Sequence, residues 1–216
     1  MKIAVIGATG FVGKHLVNEL TGRNHEVLGI SRTLQMQTEV VSFISKNVFN
    51  TNDLAETLKH YEVVVSAYNP GWSDNSNIYD EFLKGSQSIQ QAVKLAGVKR
   101  FIVIGGAGSL YIEEGLLQIV DAANFPAAIK PGAAAARDYL NIIKDEKEID
   151  WAFFSPAKEM HVGITTGRTG KYRLGTDFPV EDAGGRSILS VEDLAVVIAD
   201  EIETPKHHQA RFTAAY

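Results

Sequence analysis

The chain is expected to be an α/β protein with a doubly wound, mainly parallel sheet. Two features of its 216 residues predict this fold. Short apolar runs without polar alternation recur along the chain, as in strands buried on both faces of a sheet. Stretches with helical spacing of apolar positions separate them, the alternation that builds parallel strands with crossover helices.

Composition sets the outer limits. No Ser/Pro/Gly-rich linker divides residues 1–216, so a single domain is expected. Hydrophobic content of 45% and charged content of 22% suit a globular chain with a sizeable core. The absence of cysteine excludes disulfides, thiolate metal sites and cysteine nucleophiles. A net charge of −5 without a Lys/Arg cluster argues against a nucleic-acid partner. No apolar run approaches about 18 residues and the chain begins directly with MKIAVIG, so neither a membrane span nor a signal peptide is expected, and a cytoplasmic location is.

Ile3 to Ile6 is the first buried strand. Gly7, Gly10 and Gly13 follow at three-residue spacing, and from Phe11 onward Val12, Leu16, Val17 and Leu20 fall at helical intervals. Gly7 suits a tight turn, Gly10 admits a pyrophosphate close to the backbone, and Gly13 lets helix and strand pack closely. Unpaired N–H groups and the helix dipole then face an anion, the arrangement that binds a dinucleotide. Glu26 to Ile30 is the second strand, ending in Ser31-Arg32-Thr33 with no acidic residue before Glu39. An acidic residue there would bind the adenine ribose of NAD, whereas an arginine accommodates a 2′-phosphate. Ser31 and Arg32 therefore favour NADP(H) over NAD(H), the alternative being that Arg32 is a solvated surface charge.

Glu39 to Ile44 is a third strand, the loop 46–50 lies near the adenine in such a fold, and Thr51 or Asn52 caps a helix over 53–60. Glu62 to Ala67 is the fourth strand. The aromatic loop that follows contains Tyr68 and Trp72, which either stack on a flat substrate or pack the loop onto the domain. A long helix over 77–96 ends at Gly97, and Arg100 to Ile104 is the fifth strand. No firm pattern extends from there to about residue 130. A helix over 132–147 opens with four alanines, implying close approach to a neighbour or cofactor, and Trp151 to Phe154 is the sixth strand. Residues 158–185 form a turn-rich substrate loop with a short strand-like piece at 171–174. Ser190 caps a helix over 191–203 with Asp193 at its third position, and 209–214 closes the sheet edge.

Several side chains are candidates for chemistry. Ser109 is either a donor to substrate or a turn serine. His161 is either a proton donor or acceptor in the substrate loop or an ordinary loop histidine. Lys158, Arg168, Lys171 and Arg173 either meet a phosphate or carboxylate on the acceptor or form a solvated face balanced by Asp177, Glu181 and Asp182. No metal site is expected: His207 and His208 point opposite ways in an extended segment, and no third ligand lies near in sequence.

The motifs GATGFVG (7–13), VVVSAYNPG (63–71), RFIVIGGAGSL (100–110), DWAFFSPA (150–157), TGKYRLGTD (169–177) and ILSVEDLAVVIADEIETPKH (188–207) resemble the atypical short-chain dehydrogenase/reductases. Within that group, the chain is similar to the NADH-flavin-reductase-like proteins related to biliverdin reductase B and to the NmrA-type proteins. The resemblance implies a Rossmann fold binding NAD(P)H. The phosphates would meet Gly7, Thr9, Gly10, Phe11 and Val12, and the ribose Ser66 and Ala67. Gly105 and Gly106 would lie beneath the nicotinamide ribose, with Ser155, Pro156 and Ala157 at the nicotinamide. Standard members carry a serine after the fifth strand and a YxxxK helix. Here the serine position is Gly106, and Tyr139 is followed four residues later by Ile143, with Lys144 turned about 100° around the helix. Tyr139 is accordingly a candidate acid or a packing residue.

Without that pair, hydride transfer to a flavin (FMN or FAD) or a quinone is easier than carbonyl reduction, because water can supply the proton. The expected function is an NAD(P)H-dependent oxidoreductase acting on a small-molecule electron acceptor. The alternatives are a catalytically silent NmrA-type regulator and a nucleotide-sugar epimerase or dehydratase.

Overall fold

The computed structural model describes residues 1–33, 41–71, 76–112 and 117–216. Its strands are β1 (Lys2–Ile6), β2 (Glu26–Ser31), β3 (Val41–Ser45), β4 (Val63–Ser66), β5 (Arg100–Ile104), β6 (Asp150–Phe154), β7 (Arg173–Gly175) and β8 (Ala210–Ala215). Its helices are α1 (Phe11–Gly22), α2 (Thr51–Leu58), α3 (Ile78–Ala96), α4 (Lys130–Ile143) and α5 (Val191–Glu203). The sheet order is β3-β2-β1-β4-β5-β6-β8-β7, parallel except for the β7–β8 pair. This is the doubly wound Rossmann arrangement, with its topological switch between β1 and β4.

Alternation along β1 shows how the layers form. Ile3 and Val5 pack with Leu16, Val17 and Leu20 of α1 and with α5, while Ala4 and Ile6 pack on the opposite face with residues of α2, α3 and α4. Because successive side chains of a strand point to opposite faces, a strand covered by helices on both sides must be apolar throughout.

Local chemistry sets several boundaries. Ser190 Oγ accepts from the Asp193 N–H at 3.0 Å and starts α5, as the serine's position predicts. For α2 the cap is Asn50, whose side chain accepts from the Asp53 N–H at 3.3 Å, one or two residues ahead of the expected Thr51 or Asn52. Helix α4 begins at Lys130, with Pro131 in its first turn, and ends at Ile143, earlier than the alanine-rich pattern suggests. The third strand is described from Val41 onward, so Glu39 and Val40 lie outside the described residues. The C-terminal strand is a correction. β8 is not the edge, because β7 pairs antiparallel along its outer side, with Arg173 opposite Ala215. The turn-rich stretch 158–185 thus supplies the edge strand itself. Asp193 anchors that stretch: its carboxylate accepts from the Thr169 and Gly170 N–H groups at 2.9 and 2.8 Å and from Thr169 Oγ1 at 2.6 Å.

Candidate functional site

The turn after β1 is built by close backbone approach. Gly7 adopts φ +80°, and a Cβ on Gly13 would stand 2.1 Å from the Gly7 carbonyl oxygen, so no side chain fits where α1 crosses the turn. The Gly7 and Ala8 N–H groups bond to Ile30 O, and the Gly10 N–H bonds to Gly7 O. Those of Thr9, Phe11 and Val12 have no acceptor among the described residues. Helix α1 carries no side-chain cap and no acidic residue in its first turn. Free N–H groups and an uncompensated dipole at a glycine cradle fit a diphosphate.

Two cavities flank this turn. The smaller, about 170 Å³, is lined by Gly7, Thr9, Gly10, Ser31, Arg32, Ala67 and Tyr68, together with the loop Lys46 to Phe49. Arg32 is exposed there with no ion pair among the described residues, while Lys46 is held by Asp53 at 2.6 Å. The larger, about 1020 Å³, lies between the loops after β5 and β6 and the start of α4. Phe11, Gly105, Gly106, Pro156, Ala157 and His161 line it, with Phe82, Tyr111, Phe125, Met160 and Phe178 among its apolar walls. Asn69 lines both cavities, its side chain oriented by the Gly71 N–H at 2.8 Å.

Several expected residues are placed elsewhere. Tyr68 lies at the smaller cavity, where its ring packs on the bare face of α3: a Cβ on Gly85 would stand 2.4 Å from the ring. Its hydroxyl donates to Glu81 O at 3.2 Å, and burial, followed by the Glu81 charge, pushes its pKa up to about 12. It is therefore a packing residue of the smaller cavity and does not line the larger one. Trp72 lies outside the described residues.

Tyr139 is corrected more sharply. It is completely buried in the α3–α4 core, and its hydroxyl donates to Gln90 Oε1 at 3.1 Å. Burial raises its pKa far above the usual tyrosine range. It lines neither cavity, so it has no route to a substrate proton.

Ser109 is likewise sealed. Its one hydroxyl proton goes to Gly106 O at 2.8 Å, so the 2.8 Å contact with Ser155 Oγ must be donated by Ser155. This buried pair ties the loop after β5 to the loop after β6 beneath the cavity floor, and neither hydroxyl is free for a substrate. Ser66 is buried at the end of β4, Val12 packs into the core between β1 and α5, and Gly13 is enclosed against Gly7. The Val12 backbone N–H has no acceptor among the described residues.

His161 does line the larger cavity. Its Nδ1 accepts from the Gly163 N–H at 3.1 Å, so the neutral ring carries its proton on Nε2, leaving a donor at the wall. Tyr111 also lies on the wall, a residue that the sequence did not single out because nothing in its local spacing distinguishes it. Three of the four loop cations are already engaged, while the Lys171 side chain has no ion pair among the described residues. Lys158 pairs with Glu181 at 2.5 Å, Arg168 bonds both carboxylate oxygens of Glu19 at 2.8 and 2.9 Å, and Arg173 donates to the carbonyls of Glu181 and Tyr216. His207 bonds Glu201 and His208 bonds Asp150, so the two histidines point apart.

Residues 7–205 match the model of the NAD(P)H-binding family. The chain belongs to this family. It is 33% identical over 217 residues to the uncharacterised Bacillus subtilis (strain 168) protein YwnB, covering 99% of this chain and 97% of that one. It is also similar to the crystal structure of a Bacteroides thetaiotaomicron protein described as a candidate epimerase, with 44% identity, a TM-score of 0.90 and coverage of 100% and 96%. A Streptococcus pneumoniae TIGR4 structure described as a candidate NADH-flavin reductase shares 32% identity at a TM-score of 0.85, with coverage of 100% and 99%. The resemblance to the NADH-flavin-reductase-like branch of the atypical short-chain dehydrogenase/reductases is borne out, and membership of this family supports a nicotinamide cofactor at the glycine cradle.

Proposed function

We propose that the protein is an NAD(P)H-dependent reductase that delivers hydride to a flat acceptor such as a quinone or flavin. The observation that carries this reading is the junction of the two cavities. A small cleft beside the glycine cradle, lined by Thr9, Ser31 and Arg32, shares Asn69 with a large chamber walled mainly by apolar side chains. A bound nicotinamide supplies the hydride.

The chain supplies position and surroundings. Thr9, Phe11 and Val12 offer N–H groups to the diphosphate. Arg32, unpaired among the described residues, suits the 2′-phosphate of NADPH. Gly105, Gly106, Pro156 and Ala157 form a floor on which a flat ring can lie close to the backbone, with aromatic side chains along the walls beside it. His161 Nε2 and the Tyr111 hydroxyl, on side chains that line the chamber, would donate a hydrogen bond to charge developing on the acceptor.

Enclosure of Tyr139 in the core supports an acceptor that needs no strong enzymic acid, because a reduced quinone's oxygen or a reduced flavin's ring nitrogen can take its proton from water. It weighs against carbonyl reduction and sugar epimerisation, which call for an acid–base group at the reacting oxygen. A silent sensor of NmrA type would have no use for so large an apolar chamber. Purified protein titrated with NADPH and NADH, then mixed with FMN, FAD and quinones, tests the proposal. Coenzyme oxidation that depends on an acceptor is the expected result; binding without oxidation by any of them would refute it.

A further inference from the structure

We propose that the acceptor is a neutral planar ring bearing an apolar tail, a lipophilic quinone in chemical class, rather than a flavin nucleotide. This rests on the reductase reading above and narrows its substrate. Charge is the first observation. Among the described residues, the wall of the larger cavity carries two formal charges, Lys158 and Glu181, and they neutralise each other at 2.5 Å. Arg168, Arg173 and Arg186, the arginines of the surrounding loop, are each bonded to protein oxygens. An FMN or FAD phosphate would find no free guanidinium at the wall and would approach the Glu181 carboxylate. Anions in such a setting are disfavoured unless a cation is ready to meet them.

The mouth of the cavity is the second observation. Val162 is 80% exposed, and Ile112, Ile129 and Phe178 are also exposed, yet all four line the same cavity. Isolated exposed apolar residues are ordinary, but a cluster rimming one opening marks a surface that is covered in use. The third observation is size. About 1020 Å³ lies at the upper end of the range, roughly 300–1,000 Å³, in which pockets enclose most of a drug-sized ligand. Such a volume leaves room beyond a nicotinamide and one stacked ring, and the apolar rim lies where a tail from that ring would leave.

The test compares one benzoquinone with and without a decyl chain, and FMN, as acceptors for NADPH, alongside calorimetric binding of the two quinones. The decyl compound should have a kcat/KM at least about tenfold higher, since a few methylenes leaving water exceed that factor. It should also bind more tightly, and FMN should be the poorest acceptor. A Val162→Ser/Ile112→Ser double variant should shrink the ratio between the two quinones several-fold. Equal kcat/KM and equal binding for the two quinones, or preference for FMN, would overturn the proposed acceptor class while leaving the reductase reading intact. Tighter binding of the decyl compound with no NADPH oxidation by any acceptor would instead overturn the reductase reading and leave the chemistry of the cavity mouth as stated.

Discussion

The guanidinium of Arg211 lies over the ring of Tyr111, 5.1 Å from its centroid. It joins the last parallel strand to the cavity wall. Arg211 is buried; it also donates to Ser109 O and pairs with Asp177, and the Tyr111 N–H bonds Asp177 O at 2.9 Å. The Tyr111 and Phe178 rings lie 6.2 Å apart, so one arginine orders two walls of the chamber. Arg211→Leu should lower unfolding free energy by about 2 kcal/mol, because it strips a buried carbonyl and a carboxylate of their charged partner. It should also raise acceptor KM more than coenzyme Kd. Urea denaturation and steady-state kinetics read the two effects, and a variant as stable as the parent would contradict this account of Arg211.

Coenzyme choice should depend on Arg32. Arg32→Ala should weaken NADPH binding about tenfold or more, the value of a charged hydrogen bond, and leave NADH binding nearly unchanged. Calorimetric titration with both coenzymes measures this, and an unaltered preference would remove Arg32 from the 2′-phosphate.

Tyr139→Phe should leave kcat within about twofold and cost about 1 kcal/mol of stability. The substitution removes one buried hydrogen bond, to Gln90, and nothing at the cavity. Loss of most of the activity in a folded variant would reinstate the tyrosine as the acid.

Stability toward acid should depend in part on Glu19. Arg168, followed by Arg23, holds its carboxyl below its ordinary 4.5. A carboxyl depressed in the folded state contributes stability that is fully present above its unfolded pKa and is lost as pH falls through its folded pKa. Glu19→Gln should therefore cost about 1 kcal/mol at neutral pH, with the difference from the parent closing below about pH 4. Parallel denaturation curves at the two pH values check the sign, and a difference that widened in acid would contradict it.

The strand, glycine turn and helix at the start of the chain were legible in the sequence because their determinants are local. An apolar run, three glycines at fixed spacing and an amphipathic repeat specify β1, the turn and α1 without help from the rest of the chain, and Ser190 with Asp193 marks the start of α5 in the same way. The larger cavity was not legible. Its walls come from segments as distant as Phe11, Tyr111, Ile129 and Phe178, and no local pattern says that they meet. Burial also reversed local appearances. Tyr139 looks like a displaced catalytic tyrosine on a helix, but packing turns it into the core; Tyr68 looks like a substrate platform, but the missing side chain at Gly85 draws it onto α3. Whether a cation is free is likewise a matter of who stands beside it, which is why Arg168 and Lys158 count as a phosphate site in the sequence and as salt bridges in the fold. Backbone geometry and short-range periodicity thus determined the glycine cradle, while long-range packing and charge pairing decided which side chains line the larger cavity.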